Sequence, residues 1–211
     1  MATVAFTDFL PEVLPKVPSC PNLVAVNAVR NAAIEFCTRT LYWHEMQDMG
    51  EVSSGGFPFY LEAPAGARVC KILSVRYGDA WMRPTTRDVL DLLGTAWEAD
   101  TGAPQKYLQE TPDTLTVYPL PETAANMYLR VAFCPKRDST TVDSTLFEEY
   151  LEGIAAGALY RLMSEPGQAY SNDKAAQFYG AKFAQAIGNA KLRANQDFTR
   201  DAGTVQIRSF A

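Results

Sequence analysis

Apolar residues change their spacing twice along this chain, from helical to alternating and back, and that double change limits the fold more than any single motif. Val26, Val29, Ala33, Phe36, Cys37 and Leu41 recur every three or four residues, so one stripe of a helix is buried. Ser19-Cys20-Pro21 stands ahead of it, with Ser19 or Cys20 as cap and the proline in the first turn, where its missing N–H costs nothing. After a short amphipathic start (Phe6, Phe9, Leu10, Val13, Leu14), the spacing predicts a helix to about Trp43.

From Glu51 the period falls to two and turn residues multiply. Ser53-Ser54-Gly55-Gly56 leads into a strand at 57–61, and a strand at 68–77 is followed by Gly78-Asp79 and a partner at 80–82, the pattern of a hairpin. A short helix is predicted from Thr85, with Asp88 at the capping-box position and Gly94 as its stop. The Pro112-Asp113 turn begins a strand at 114–118. In the last strand, 127–133, Met127, Leu129, Val131 and Phe133 alternate with Tyr128, Arg130 and Ala132. The expectation is a small antiparallel β unit with one buried face.

Helical spacing then returns. Thr145 with Glu148 reads as a capping box ahead of Tyr150, Leu151, Ile154, Leu159 and Leu162, and 164–167 ends that helix. A second long helix is predicted to start within 171–173, where a capping side chain and an acidic first turn suit the helix dipole, and to run to about Asn195. Gly153 and Gly157 on the first helix, and Ala176, Gly180, Ala184 and Gly188 on the second, lie at four-residue intervals. Stripes of small residues let helix backbones approach, so a tight antiparallel hairpin is expected. Glycines that each weaken a helix by ~1 kcal/mol need such a packing reason.

Beyond Asn195 the pattern becomes irregular and then alternates through Thr204-Val205-Gln206-Ile207-Arg208-Ser209-Phe210. This is either a frayed terminus or a strand donated to a neighbour's sheet edge or groove. The expected architecture is α+β. A helical domain is built from residues 1–45 and 141–198, a β-rich insertion occupies 46–140, and an extended C-terminal arm occupies 199–211.

The inventory for chemistry is nearly empty. His44 is the one histidine, which removes any mechanism or metal site requiring two. Cys37 lies seven residues from it, ~10 Å along a helix and too far for a thiolate–imidazole pair. Cys20, Cys37, Cys70 and Cys134 form no C-x-x-C pair, so neither a disulfide framework nor a zinc site is expected, and they read as small hydrophobes. Glu148 with Glu152, and Glu45 with Asp48, read as solvated acidic faces. Gly55-Gly56 lacks the lysine of a phosphate-binding loop, and the Tyr77, Trp81, Arg83, Arg87 region is diluted by Asp79, Asp88 and Asp91, so its aromatics read as core and interface. No catalytic residue, cofactor or metal is expected.

A hydrophobic content of 47% over 211 residues supports a real core. The first sixteen residues lack the apolar run of a signal peptide and nothing approaches the ~20 residues of a membrane span, so a soluble protein made in the cytoplasm is expected, with no membrane partner. The net charge of -5 argues against wrapping nucleic acid on a basic surface. It is uneven: residues 182–211 hold five basic and two acidic side chains, a net +3, leaving -8 for 1–181. An acidic body with a basic tail suits docking on acidic neighbours, or a channel wall past which DNA slides.

Several segments resemble a known family. Val17-Pro18-Ser19-Cys20-Pro21 with Arg30-Asn31-Ala32-Ala33-Ile34-Glu35-Phe36-Cys37 resembles the N-terminal helix signature of phage head-to-tail adaptors related to podophage tail tubular protein A. In the same order, Tyr60-Leu61-Glu62-Ala63-Pro64, Gly102-Ala103-Pro104-Gln105-Lys106-Tyr107, Val117-Tyr118-Pro119-Leu120-Pro121 and Glu152-Gly153-Ile154-Ala155-Ala156-Gly157-Ala158-Leu159 are similar to that family, as is Ala175-Ala176-Gln177-Phe178-Tyr179 to its last long helix. The resemblance implies a helical bundle with a β insertion, assembled as a dodecameric ring in the virion neck. The ring would join the portal protein to the next tail or nozzle protein, with DNA passing through the lumen without sequence-specific binding. In related adaptors the C-terminal region reaches toward the portal, which makes Arg200, Val205, Ile207, Arg208 and Phe210 the expected portal-docking arm. The β region is expected against a neighbouring subunit or the next tail protein. The alternatives are a tail-tube or neck completion protein at another level, a small cell-wall hydrolase using a reactive cysteine, and a nucleic-acid-binding module.

Overall fold

The computed structural model describes residues 2–53, 57–94 and 97–196. In chain order, β1 (Thr3–Ala5) leads through 3-10 turns flanking α1 (Leu10–Val13) into α2 (Asn22–Thr40). Then come β2 (His44–Val52), β3 (Phe59–Tyr60), β4 (Ala67–Tyr77), β5 (Ala80–Trp81), β6 (Arg83–Pro84) and the short α3 (Arg87–Asp91). β7 (Thr101–Gly102), β8 (Lys106–Leu108), β9 (Thr114–Tyr118), β10 (Leu120–Pro121), β11 (Ala125–Pro135) and β12 (Thr141–Asp143) precede two long helices, α4 (Ser144–Met163) and α5 (Asp173–Gln196). The fold is α+β.

Helix ends show where local chemistry decides. Pro21 is itself the extended residue ahead of α2, and its carbonyl accepts from the Val24 and Ala25 N–H groups. The helix stops at Thr40, short of the expected Trp43. Leu41 takes a left-handed conformation (φ 54), and the Thr40 hydroxyl accepts the Tyr42 N–H at 3.2 Å, turning the chain toward β2. α4 begins one position before the expected box: the Asp143 carboxylate accepts the Thr145 N–H at 2.9 Å, so Thr145 is already helical. α5 is capped by Asn172, whose side-chain oxygen accepts the Ala175 N–H at 3.1 Å. The helix expected from Thr85 is shorter, with Thr86 extended ahead of Arg87 and no side-chain cap.

The main sheet has the order β2-β11-β4-β5 and is antiparallel throughout. Sequence spacing missed β2 because an edge strand bearing Glu45, Asp48 and Glu51 lacks the β-branched and aromatic residues that announce strands; pairing with β11 overrides that preference. Along β11 the expected alternation holds from Met127 to Arg130, then fails. Residues 131–135 are all buried, because bulges at Arg130/Val131 and Ala132/Phe133 rephase the strand and α2 packs against it. A second sheet, β3-β9-β8-β6, carries one parallel pair, β6 with β8. The β1–β12 pair ties the N-terminus to the strand feeding α4.

One core runs through both layers. Phe36 and Cys37 of α2, Val131 and Phe133 of β11, Ile154 of α4 and Ile187 of α5 belong to it. A separate small cluster of Leu90, Trp97 and Leu108, with Tyr118 against it, holds the outer lobe around α3.

Candidate assembly surfaces

His44 is held by its neighbours. Arg130 donates to its Nε2 at 2.6 Å, which leaves Nδ1 as the donor to the Leu41 carbonyl at 3.1 Å and makes the ring a neutral hydrogen-bond bridge. Cys37 is fully buried on α2, and burial pushes its thiol far up. No spacing along the chain signals a thiol pair, yet the pairing of β4 with β11 brings Cys70 to Cys134. The hydrogen bond from Cys134 lowers the Cys70 thiol against the effect of burial, and the same bond with burial pushes the Cys134 thiol up. Arg68 and Lys71 lie near Cys70 and add to the same effect. Among the described residues no group of His, Cys, Asp and Glu is arranged to hold a metal ion, and no helix is long and apolar enough to cross a membrane.

A cleft of about 560 Å³ opens where the turn after α2, β2, β11 and the start of α4 meet the end of α5, lined by Tyr42, Trp43, Met46, Arg130, Leu146 and Arg193 among others. Tyr42 meets Tyr150 edge to face at 4.7 Å, and burial followed by the Tyr42 neighbour pushes the Tyr150 hydroxyl up to about 12. Arg193, near the end of α5, pairs with Glu149 at 2.6 Å on the rim. The expected arm residues Arg200, Val205, Ile207, Arg208 and Phe210 lie outside the described residues.

The helix hairpin α4–α5 is closed at its glycines. A Cβ on Gly153 would stand 2.8 Å from the Ala186 Cβ, and one on Gly157 would stand 2.8 Å from the Phe183 ring and 3.0 Å from the Ala32 Cβ of α2. One on Gly180 would stand 3.0 Å from the Tyr160 ring. The small-residue stripe of α5 does not stay in the contact: Ala176 is buried and Gly180 half-buried, but Ala184 and Gly188 are exposed, and a Cβ at Gly188 would meet nothing within 4 Å. Each four-residue step overshoots a turn by about 40°, so the stripe winds off the contact. The buried line follows Ala176, Phe183, Ile187 and Ala190 instead.

On the lobe the pattern inverts. Leu90 points into the small cluster, while Leu92 is 87% exposed and Leu93 56%, with Val89 half uncovered beside them. Arg87 braces this lobe from outside, bonding Glu98 at 2.6 Å and Glu110 at 2.7 Å above the Trp97 ring. Val89, Leu92 and Leu93 are thus large apolar side chains left in water within one short stretch of chain.

The family model described as SU10 adaptor protein matches residues 5–208, nearly the whole chain. The chain belongs to that family: it is a phage adaptor, a structural component of the virion. No curated protein matches it.

Proposed function

We propose that this adaptor forms a ring below the portal of a tailed phage, joining head to tail and lining the DNA passage. The observation that carries the reading, beside the family match, is the uncovered apolar lobe on a fold whose main core is closed. In the ring, residues 1–45 and 141–198 form the helical body. The insertion, 46–140, turns Leu92 and Leu93 toward a neighbouring subunit or the next tail or nozzle protein. The arm at 199–211, through Arg200, Val205, Ile207, Arg208 and Phe210, docks on the portal. Twelve copies match the portal's symmetry, as the family resemblance implies, and DNA passes without sequence-specific contact, in keeping with a net charge of -5.

Deleting residues 202–211 is expected to abolish portal binding while circular dichroism and melting temperature stay those of the full chain. Unchanged binding would sink the docking role of the arm.

A further inference from the structure

We propose that neighbouring subunits meet head to tail through an arginine face on α2 and α4 of one copy and an acidic face on α1 and α4 of the next, an inference that rests on the ring reading above. Glu35 is shared by two guanidinium groups, Arg39 at 3.0 Å on one oxygen and Arg161 on the other. Arg137 lines the same depression of about 340 Å³, with Thr38 and Asn31 on its floor and rim. Arg30 is drawn in by the Arg137 carbonyl at 2.8 Å. One carboxylate thus serves a group of arginines, each with five N–H donors, and the Nε atoms of Arg30 and Arg161 are buried without an acceptor. In a chain of net charge -5, this is a local excess of positive charge.

The same molecule carries the complement. Glu12 and Glu152 line a depression of about 200 Å³ between α1, α4 and α5, with Lys16 at 3.3 Å from Glu12 and Lys182 at 3.1 Å from Glu152. Asp8 and Glu148 are exposed, and the edge contact of Phe9 with Phe147 brings their segments together. Two carboxylates and two lysines line the depression, and Asp8 and Glu148 add two exposed carboxylates on the adjoining segments. Glu152 and Arg161 are nine residues apart on the regular part of α4, about two and a half turns, so they leave the helix on opposite sides. Complementary faces on opposite sides of one subunit are what a head-to-tail interface needs to close a ring. Exposed ion pairs add little binding each, but opposed like charges are costly, so such faces fix the order and direction of neighbours.

The test uses Arg137→Glu and Glu152→Lys; Arg137 is exposed and the Glu152 side chain is 77% exposed, so neither change disturbs the core. Association of the full chain is measured by sedimentation velocity, alone and on the portal ring. Each single reversal is expected to weaken subunit–subunit association by about tenfold or more, and the double variant to regain most of the loss, because the swapped charges face each other again. The proposal is overturned if the single variants associate like the wild type. It is also overturned if the double variant regains nothing while all three keep the wild-type melting curve, or if wild-type copies never contact one another in either sample. Loss of duplex DNA binding in R137E with unchanged association would make this face a phosphate-backbone contact instead. Failure of the wild type to bind the portal would refute the head-to-tail reading, and the samples without portal would still decide the contact between copies.

Discussion

At Gly157 the helical body leaves no room for a methyl group, which would strike the Phe183 ring at 2.8 Å, whereas Leu92 on the lobe around α3 is 87% exposed. Both regions are apolar, and they differ in where their burial is completed. α4 and α5 bury their shared face within the subunit by letting backbones approach at glycine, while Tyr160, Phe178 and Leu192 on the same helices stay exposed. The lobe rests on Leu90, Trp97 and Leu108 and leaves its remaining leucines in water, so about 1.5–3 kcal/mol per side chain becomes available only when another protein covers them.

The sharpest way to break this comparison is Trp97→Ala. Removing a buried tryptophan costs about 3–5 kcal/mol, more than a small cluster can absorb, so amide exchange is expected to accelerate through residues 87–118 and stay unchanged in α4. Acceleration shared by both regions would show that the lobe is not a separate unit of stability. Next in size, Gly157→Ala is expected to destabilise the fold by about 1–3 kcal/mol through overpacking against Phe183 and Ala32, read as a lower melting temperature. Gly188→Ala, on the same helix pair but facing open space, is expected to stabilise by about 1 kcal/mol. Equal effects at the two glycines would contradict the winding of the stripe off the contact. Smallest for the isolated chain is the pair Leu92→Ser with Leu93→Ser, expected to leave stability within about 0.5 kcal/mol while weakening assembly with the neighbouring protein.

Much of this was legible in the spacing of apolar residues. α4, α5, β9 and most of β11 follow from it, because each buries a periodic face long enough to stand above chance. β2 did not follow, since its charged sequence becomes a strand only by pairing with β11. β1 and β12 are three residues each, too short to show a period, and their pairing joins the N-terminal segment to residues far along the chain. The small-residue stripes were visible, but a repeat of four on a helix of 3.6 residues per turn overstates the contact, and Phe183 and Ile187 carry it where Ala184 and Gly188 do not. The Cys70–Cys134 pair and the arginine face depend on strand register and helix packing, which no local spacing encodes. The adaptor family itself was legible as a resemblance spread over short segments from Val17 to Phe183, and the family match covers residues 5–208.

The central claim, a ring joined to the portal, is tested most directly by mixing the purified chain with the portal ring from the same genome and measuring the mass of what forms. The account predicts one defined complex with matching copy numbers of the two chains. Two separate species, portal and unbound subunit, would contradict it.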